Sequence, residues 1–171
     1  MTVWFTSDLH FRHKNILKYN PDTRQYADHE DMREKIILEW NSKVKTEDTV
    51  YHLGDFSFGS KTYTFDIIKE LKGNIKFIRG NHDRNWLEPM LAYQEIILEG
   101  QKIVLFHFPI GSWHGQGRGT WHLHGHCHGS YKDTKGKMLD VGWDNVGATL
   151  ISFEETKVIM DKQEIYINDH H

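Results

Sequence analysis

The alternation of apolar and polar positions predicts several short strands. Residues 2–7, 49–55 and 74–83 are each an apolar run that passes into a polar loop, as a strand followed by a turn does. Residues 93–109 consist of two such runs that meet near Glu99 and Gly100, which predicts a hairpin. A further strand is predicted around residues 138–143, in the sequence MLDVGW.

Two segments between the early strands have the apolar spacing of a helix, and a capping motif predicts another helix near the end. Residues 28–44 and 61–72 repeat their apolar positions at three- and four-residue intervals. The predicted inward faces are Met32, Ile36, Ile37, Trp40 and Val44 in the first helix, and Phe65, Ile68 and Leu71 in the second. A last helix is predicted to begin near Phe153, because Ser152 and Glu155 have the spacing of a capping box.

The order of these elements indicates an α/β fold. Strands alternate with helices early in the chain and come as a hairpin later, which leaves one mixed sheet, or two sheets, with helices outside. Polar residues follow the early strands, so they are expected along one edge of the sheet, where α/β folds usually bind ligands.

Composition places the chain among small globular proteins. Its 171 residues, 38% of them hydrophobic, suit a single domain over residues 1–171 without a separate cap domain. The net charge of −3 does not favour nucleic-acid binding through bulk charge. With one cysteine, no signal peptide and no long apolar run, we expect a cytoplasmic protein with no membrane partner.

Thirteen histidines are the unusual feature of the composition. Five of them lie in the polar clusters SDLH, GNHD, FHFP and GHCH, and a fifth cluster, LGD, adds a carboxylate. Four of the five clusters end a strand-like run. The metal-ligating candidates in these clusters are Asp8, His10, Asp55, Asn81, His107, His126 and His128. Carboxylate, imidazole and amide oxygen suit a divalent metal ion. Seven ligands exceed the needs of one ion but suit two ions about 3.5–4 Å apart that share a carboxylate.

In its five clusters and their order, the chain resembles the calcineurin-like metallophosphoesterase superfamily. That family carries D-x-H, G-D, G-N-H-[DE], a lone histidine and G-H-x-H in this order, and all five occur between Asp8 and His128. The first cluster resembles a branch of small bacterial and phage phosphoesterases. The resemblance implies a four-layer αββα sandwich, in which two mixed β-sheets lie face to face with helices outside.

The resemblance also implies a role for each matching residue. Asp8, His10 and His128 would bind one metal ion, Asn81, His107 and His126 would bind the other, and Asp55 would bridge them. A metal-bound water would then attack phosphorus directly. Mn²⁺ is the favoured ion, with Fe, Zn, Ni and Mg as alternatives. Two dications supply a charge of about +4 at one point, so an acidic protein can still bind phosphate.

Two residues beside the ligands match the family's catalytic pair. His82 would protonate the leaving oxygen or stabilise charge on the phosphoryl group. Asp83 would orient His82.

Other polar residues near the motifs are candidates for substrate contact or for a supporting role. Arg118 and His114 lie in a glycine-rich loop between two ligand-bearing segments, and His13 and Arg84 each follow a motif closely. All four are predicted to contact the phosphate ester. The remaining residues of the histidine-rich segment are surplus to the ligand set: His122 and His124 are expected to support the ligands or to be exposed, and Cys127 to pack. The terminal His170 and His171 are left out of the site.

The predicted function is hydrolysis of a phosphodiester, such as a nucleotide, a cyclic nucleotide or a nucleic acid, in an open cleft. A phosphomonoesterase acting on a small phosphorylated metabolite or nucleotide is the closest rival. A non-catalytic metal-binding scaffold with the same fold is the rival from another class. A structural zinc module in the sequence HLHGHCH is disfavoured, because such sites use closed Cys/His sets and the chain has one cysteine. The oligomeric state is left open.

Overall fold

Two four-stranded sheets form the centre of the structure, a computed structural model that describes residues 1–87 and 90–167. His170 and His171 lie outside the described residues. In the first sheet the strand order is β3-β2-β1-β8. Its strands are β1 (Val3–Thr6), β2 (Thr49–His52), β3 (Asn74–Phe77) and β8 (Ile151–Ser152). The first three are parallel and β8 is antiparallel to β1, so the sheet is mixed.

The second sheet has the strand order β4-β5-β6-β7. Its strands are β4 (Tyr93–Leu98), β5 (Gln101–Phe106), β6 (Trp121–His124) and β7 (Met138–Asp140). β4 and β5 form the predicted hairpin, which turns at Glu99 and Gly100. β5, β6 and β7 are parallel, so this sheet is mixed as well.

Alternating side chains give the first sheet two apolar faces. Phe5 and Leu53 point toward the second sheet and pack with Leu105 and Leu123, which forms the core between the sheets. Val50 points the other way and packs under the helices. Each strand therefore contributes to two cores, as its period of two requires. The fold expected from the resemblance, two mixed sheets flanked by helices, is confirmed.

The two long helices cover the outer face of the first sheet. They are α2 (His29–Lys43), which the side chain of Asp28 caps, and α3 (Lys61–Glu70), which Ser60 caps. The predicted inward face of α2 is buried as expected. In α3 the prediction is partly wrong: the buried helical positions are Thr64 and Ile67, whereas Phe65 and Ile68 are half-buried beside the edge strand β3.

Two shorter helices complete the chain. α1 (Ile16–Tyr19) follows the first polar cluster and was not predicted. α4 (Phe153–Met160) begins with the predicted capping box between Ser152 and Glu155. Residues 153 and 160 of this helix pack into the core between the sheets. None of the helices in the described part of the chain has the length and apolar character needed to cross a membrane.

The connection from β5 to β6 crosses the outer face of the second sheet. Because these two strands are parallel, the chain must return from the carboxyl end of β5 to the amino end of β6. On its way Trp113 packs on Val104, and its indole N–H donates to the carbonyl of Thr120. The 3₁₀-helix Gln116–Arg118 lies near the far end of this crossover, away from the edge where the ligand-bearing loops meet.

Candidate metal centre

The predicted ligands lie in loops that follow β1, β2, β3, β5 and β6, at one edge of the two sheets. Backbone hydrogen bonds join these loops directly. The amide of Asp8 donates to the carbonyl of Gly54 at 3.0 Å, and the amide of His10 donates to the carbonyl of Asp55 at 3.0 Å. The amide of Gly125 donates to the carbonyl of His107 at 2.9 Å, which joins the second sheet's loops in the same way.

One ligand group consists of Asp8, His10 and His128. Each residue offers an oxygen or ring nitrogen, and these three atoms lie within 4.8 Å of one another. His10 Nε2 is 3.6 Å from Asp8 Oδ1. Asp8 and His10 are buried, at 0% and 4% exposure. This set is called the first group below.

A second ligand group consists of Asp55, His107 and His126, whose ligand atoms also lie within 4.8 Å of one another. Asn81 completes it: its Oδ1 is 2.9 Å from His107 Nε2 and 3.1 Å from His126 Nδ1. His126 and Asn81 are exposed. The second group, with Asn81 included, is therefore open on one side.

A single carboxylate oxygen lies between the two groups. Asp55 Oδ2 is 3.8 Å from His10 Nε2 in the first group and 3.5 Å from His107 Nε2 in the second. Its other oxygen accepts the backbone N–H of His82 at 2.9 Å. The position of Oδ2 is the one that a bridging carboxylate needs.

Unpartnered polar atoms in the first group test whether a metal ion fits. Asp8 Oδ1 and both ring nitrogens of His10 are buried and have no hydrogen-bond partner among the residues that the structure describes. Buried polar atoms are normally satisfied, because each unpaired one is costly. The donor set of carboxylates, imidazoles and one amide oxygen suits a divalent cation. The residues therefore fit the metal that the family resemblance implies.

The ligand-bearing loops are left-handed, not extended. Asp8, His10 and Asp55 have φ angles of 59°, 54° and 59°, and His126 and His128 have 69° and 47°. Each such residue costs about 1–3 kcal/mol unless its surroundings impose the conformation. The pairs Asp8/His10 and His126/His128 therefore do not lie in extended segments. In each pair both ligands turn through the left-handed region, with one residue between them that does not.

Two motif glycines permit this close approach of the loops. A Cβ on Gly80 would lie 2.2 Å from Asp55 Oδ1. A Cβ on Gly125 would lie 2.0 Å from Ser7 Oγ and 2.4 Å from Asp8 Oδ2. Any side chain at Gly80 or Gly125 would collide with the neighbouring carboxylate. Both positions therefore require glycine, whatever their φ angles are.

The ligands influence one another's protonation. Burial alone would raise the pKa of Asp8, but the nearby imidazoles of His10, His107 and His128 hold it well below its usual range. Burial would likewise raise the pKa of Asp55, and the contact with His107 lowers it instead. Burial would lower the pKa of His107, but the Asp55 carboxylate raises it. The centre concentrates negative charge, as a cation site does.

A pocket of about 510 Å³ opens beside the first group. It is lined by His10, His13, Ile16, Tyr19, Asn20, His82, His126, Cys127, His128 and Ser130. His82 is exposed, with its ring centroid 6.1 Å from that of His10. The ring of His13 packs on Phe58 at 4.4 Å. Two of the three predicted non-ligand histidines, His82 and His13, therefore face the same open space as three of the ligands.

Asp83 does not contact the ring of His82 in any described hydrogen bond. Its carboxylate accepts three backbone N–H groups, from Asp55 at 2.9 Å, Phe56 at 2.9 Å and Gly80 at 2.8 Å. All of these bonds go to backbone, so the role of Asp83 in orienting His82 stays a prediction. What the bonds show is that Asp83 ties the loop of Asp55 to the loop of Asn81.

Sequence reasoning missed a buried ion pair behind the first group. Arg24 and Asp144 are 120 residues apart and pair at 2.8 Å, with Arg24 2% exposed. Asp144 also lies 2.6 Å from Nδ1 of His128. Burial would raise the pKa of Asp144, but His128 and Arg24 lower it to about 2. The one sequence signal for this pair is the position of Arg24, an arginine close to the first motif.

Three of the predicted substrate contacts lie elsewhere. Arg118 shares a shallow pocket with Gln101 and Lys102, at the opposite end of β5 from His107. His114 is exposed and its ring contacts Glu95 at 3.0 Å. Arg84 is exposed and does not line the pocket that holds the histidines. The crossover between parallel strands carries Arg118 away from the site, so the structure does not support its predicted contact with the phosphate ester.

The remaining histidine-rich residues have structural positions. His122 and His124 are buried on the outer face of β6, at 0% and 1% exposure, so the alternative that they are exposed is wrong. Trp113 covers His122, with ring centroids 5.3 Å apart. Cys127 is partly buried at the wall of the histidine pocket and belongs to neither ligand group.

Comparison with known sequences identifies relatives over nearly the whole chain. The sequence model described as calcineurin-like phosphoesterase matches residues 1–169. An uncharacterized protein of Methanocaldococcus jannaschii is 31% identical over 177 residues, which cover 98% of this chain and 97% of that protein. The Gene 66 protein of Mycobacterium phage D29 is 31% identical over 162 residues, 74% of this chain and 78% of that protein.

Among solved structures, a protein of unknown function from Aquifex aeolicus shares the fold. It superposes with a TM-score of 0.71 at 24% identity, covering 92% of this chain and 98% of that chain. At this identity the likeness speaks for the fold alone.

Proposed function

The chain belongs to the calcineurin-like phosphoesterase family, and from that premise we propose that it hydrolyses a phosphodiester with the help of two divalent metal ions, preferably Mn²⁺. The observation that carries the proposal is the position of Asp55 Oδ2, at 3.8 Å from His10 Nε2 and 3.5 Å from His107 Nε2. One carboxylate oxygen lies between two ligand groups, as two-metal hydrolases require.

In this proposal each group holds one ion. Asp8, His10 and His128 bind the first, Asn81, His107 and His126 bind the second, and Asp55 is shared. When bound, the metal ions would supply positive charge to the phosphate and lower the pKa of the attacking water. The protein holds the ligands in place through the backbone bonds that join the loops and through Asp83, which fixes the backbone of Asp55.

His82 is proposed to act on the leaving group. As water oxygen forms its bond to phosphorus, the bond to the leaving oxygen breaks, and His82 donates a proton to that oxygen. Its exposed ring lines the same pocket as three of the ligands. Its backbone N–H donates to Asp55 at 2.9 Å, so the ring is anchored to the bridging residue without being one of the ligands.

The preference for a diester is supported by the surroundings of the first group. Beyond the histidines, the pocket continues along Ile16, Tyr19, Asn20 and Ser130, and Tyr19 is 67% exposed. This wall offers room for the second organic group of a diester, such as part of a nucleotide, a cyclic nucleotide or a nucleic acid. The proposal treats residues 1–171 as a single domain with no cap domain inserted within it, which leaves the cleft open to such substrates.

The test is a substrate panel. The protein is stripped of metal with a chelator, reloaded with Mn²⁺ and assayed with bis(4-nitrophenyl) phosphate and 4-nitrophenyl phosphate, then with cyclic nucleotides and single-stranded oligonucleotides. We expect the catalytic efficiency to be higher for diesters than for monoesters, and to vanish without metal. A preference for the monoester would make the protein a phosphomonoesterase.

The same experiment distinguishes a non-catalytic scaffold. If the protein binds two Mn²⁺ ions and hydrolyses no ester of the panel, the fold and metal centre would serve binding alone. Hydrolysis that persists at full rate after removal of metal would contradict the role of the two ligand groups.

A further inference from the structure

The side chain of Arg24 is surrounded by acceptors. Its Nη1 donates to the carbonyl of Leu9 at 2.9 Å, and its Nη2 donates to the carbonyl of Asp8. Its Nε and Nη2 also pair with the two oxygens of Asp144 at 2.9 and 2.8 Å. The fork of an arginine matches a carboxylate in this bidentate manner, whereas a lysine cannot.

Asp144 links Arg24 to His128, the third residue of the first group. Its Oδ2 lies 2.6 Å from Nδ1 of His128, and its Oδ1 accepts the hydroxyl of Thr23. The Asn20 amide nitrogen is also near Nδ1 of His128, at 3.3 Å, but the contact with Asp144 is much shorter. An ionised carboxylate can only accept, so the shorter contact requires the proton on Nδ1 of His128. The other ring nitrogen, Nε2, is then unprotonated and free to act as a ligand.

We infer that Arg24 and Asp144 are positioning residues that set the metal affinity of the first group. Arg24 holds the backbone of Asp8 and Leu9, in the loop where Asp8 and His10 have positive φ angles. Asp144 holds the ring and the tautomer of His128. The inference rests on one part of the proposed function, namely that Asp8, His10 and His128 bind a metal ion. It does not require the protein to be an enzyme.

The second group has a different support among the described residues, because Asp83 accepts the backbone N–H groups of Asp55 and Gly80 and holds no imidazole ring of the group. His107 donates from Nδ1 to the carbonyl of Leu53 at 2.7 Å, and Asn81 contacts two of its fellow ligands. No arginine–carboxylate pair contacts His107, His126 or Asn81 in the described part of the chain. The first group is therefore expected to bind the tighter ion, and the effect of Arg24 and Asp144 should be confined to it.

The test is a Mn²⁺ titration by calorimetry on the full chain, stripped of metal, with the variant Asp144→Asn. This variant keeps the shape of the side chain but removes the charge that pairs with Arg24. We expect the dissociation constant of the tighter ion to rise about 10- to 100-fold, the usual effect of losing a partner behind a ligand, while the weaker ion is unaffected. In the metal-free protein, ¹⁵N NMR of labelled histidines should show His128 losing its single tautomer.

Two further variants keep the test decisive. Asp48→Asn is the matched control, because Asp48 is also a buried carboxylate that accepts backbone N–H groups but lies away from the centre. Thr23→Val removes the hydroxyl bond to Asp144, together with a longer contact of 3.5 Å to the carbonyl of Asn20, and leaves the Asp144 carboxylate in place. It decides the matter if Asp144→Asn does not fold, with an expected weakening of less than tenfold. Unchanged affinity for the tighter ion and an unchanged tautomer of His128 in the folded variants would overturn the inference.

Discussion

The two ligand groups share an oxygen of Asp55 but differ in how the protein holds them. In the first group Asp8 and His10 are buried, and Arg24 and Asp144 fix the ligands from behind. In the second group Asn81 and His126 are exposed and contact one another. An arginine–carboxylate pair therefore holds the first group, whereas the second group is held by Asp83, by the carbonyl of Leu53 and by contacts among its own members.

This difference suggests that the two groups have different roles in metal binding. A rigid, buried group binds its ion with little loss of conformational entropy, because the ordering has already been done during folding. An open group leaves its ion accessible to a ligand from solvent. The predictions below test whether the two groups respond to change separately or together.

The largest effect is expected at Asp55, because its carboxylate lies between the two groups and a change there should affect both. In Asp55→Asn the shared carboxylate charge is lost, so both groups should lose their ions and turnover should vanish. The loss of metal affinity should exceed the roughly 10- to 100-fold typical of partners behind a ligand. Metal content by mass spectrometry and hydrolysis of a chromogenic diester measure both effects. Full retention of two ions with normal turnover would contradict a shared role for this residue.

The next effect concerns chemistry with both groups intact. His82→Ala should keep both ions and lower the rate by about 10²- to 10⁴-fold, as expected for a positioned proton donor. The loss should be smaller for a nitrophenyl ester, since that leaving oxygen needs little protonation. The matched variant His126→Ala should lose metal and fail on all substrates alike. If His82→Ala empties a site, or costs the same factor for good and poor leaving groups, the residue is not the general acid.

A smaller effect should separate the first group from the second. In Gly125→Ala the new Cβ would meet Ser7 Oγ at 2.0 Å and Asp8 Oδ2 at 2.4 Å. Overpacking of this kind typically costs about 1–3 kcal/mol, so thermal unfolding should shift and the tighter ion should bind more weakly. Gly111→Ala is the control, because nothing lies within 4 Å of its added Cβ. Equal behaviour of the two variants would show that the contact with Asp8 can relax.

The smallest effects distinguish the pocket from the crossover loop. His13 lines the pocket beside His10, whereas Arg118 lies at the far end of β5. His13→Ala should lower catalytic efficiency by one to two decades if its ring binds the phosphate ester, since a hydrogen bond to a charged group is worth about 1.5–3 kcal/mol. Arg118→Ala should leave efficiency unchanged within twofold. Steady-state kinetics on the best diester decide both, and the reverse ranking would place the substrate over the crossover loop.

The sequence predicted most elements and which residues gather at the edge, because apolar periodicity marks strands and the motifs follow them. It could not predict the left-handed turns at Asp8 and His10, since an aspartate or a histidine has no intrinsic preference strong enough to show them. Arg118 was predicted beside the substrate because the sequence carries no local signal that β6 runs parallel to β5. A parallel β6 requires the connecting loop to cross the sheet, away from the site. The pairing of Arg24 with Asp144 depends on tertiary contact across 120 residues, which a single sequence does not reveal.

The most direct test of the two-group account is anomalous diffraction from crystals grown with limiting and then saturating Mn²⁺. We predict one peak among Asp8, His10 and His128 at limiting metal, and a second peak at saturation among Asn81, His107 and His126. The two peaks should be about 3.5–4 Å apart with Asp55 between them. A single peak at saturation, or a second group that fills before the first, would contradict the account.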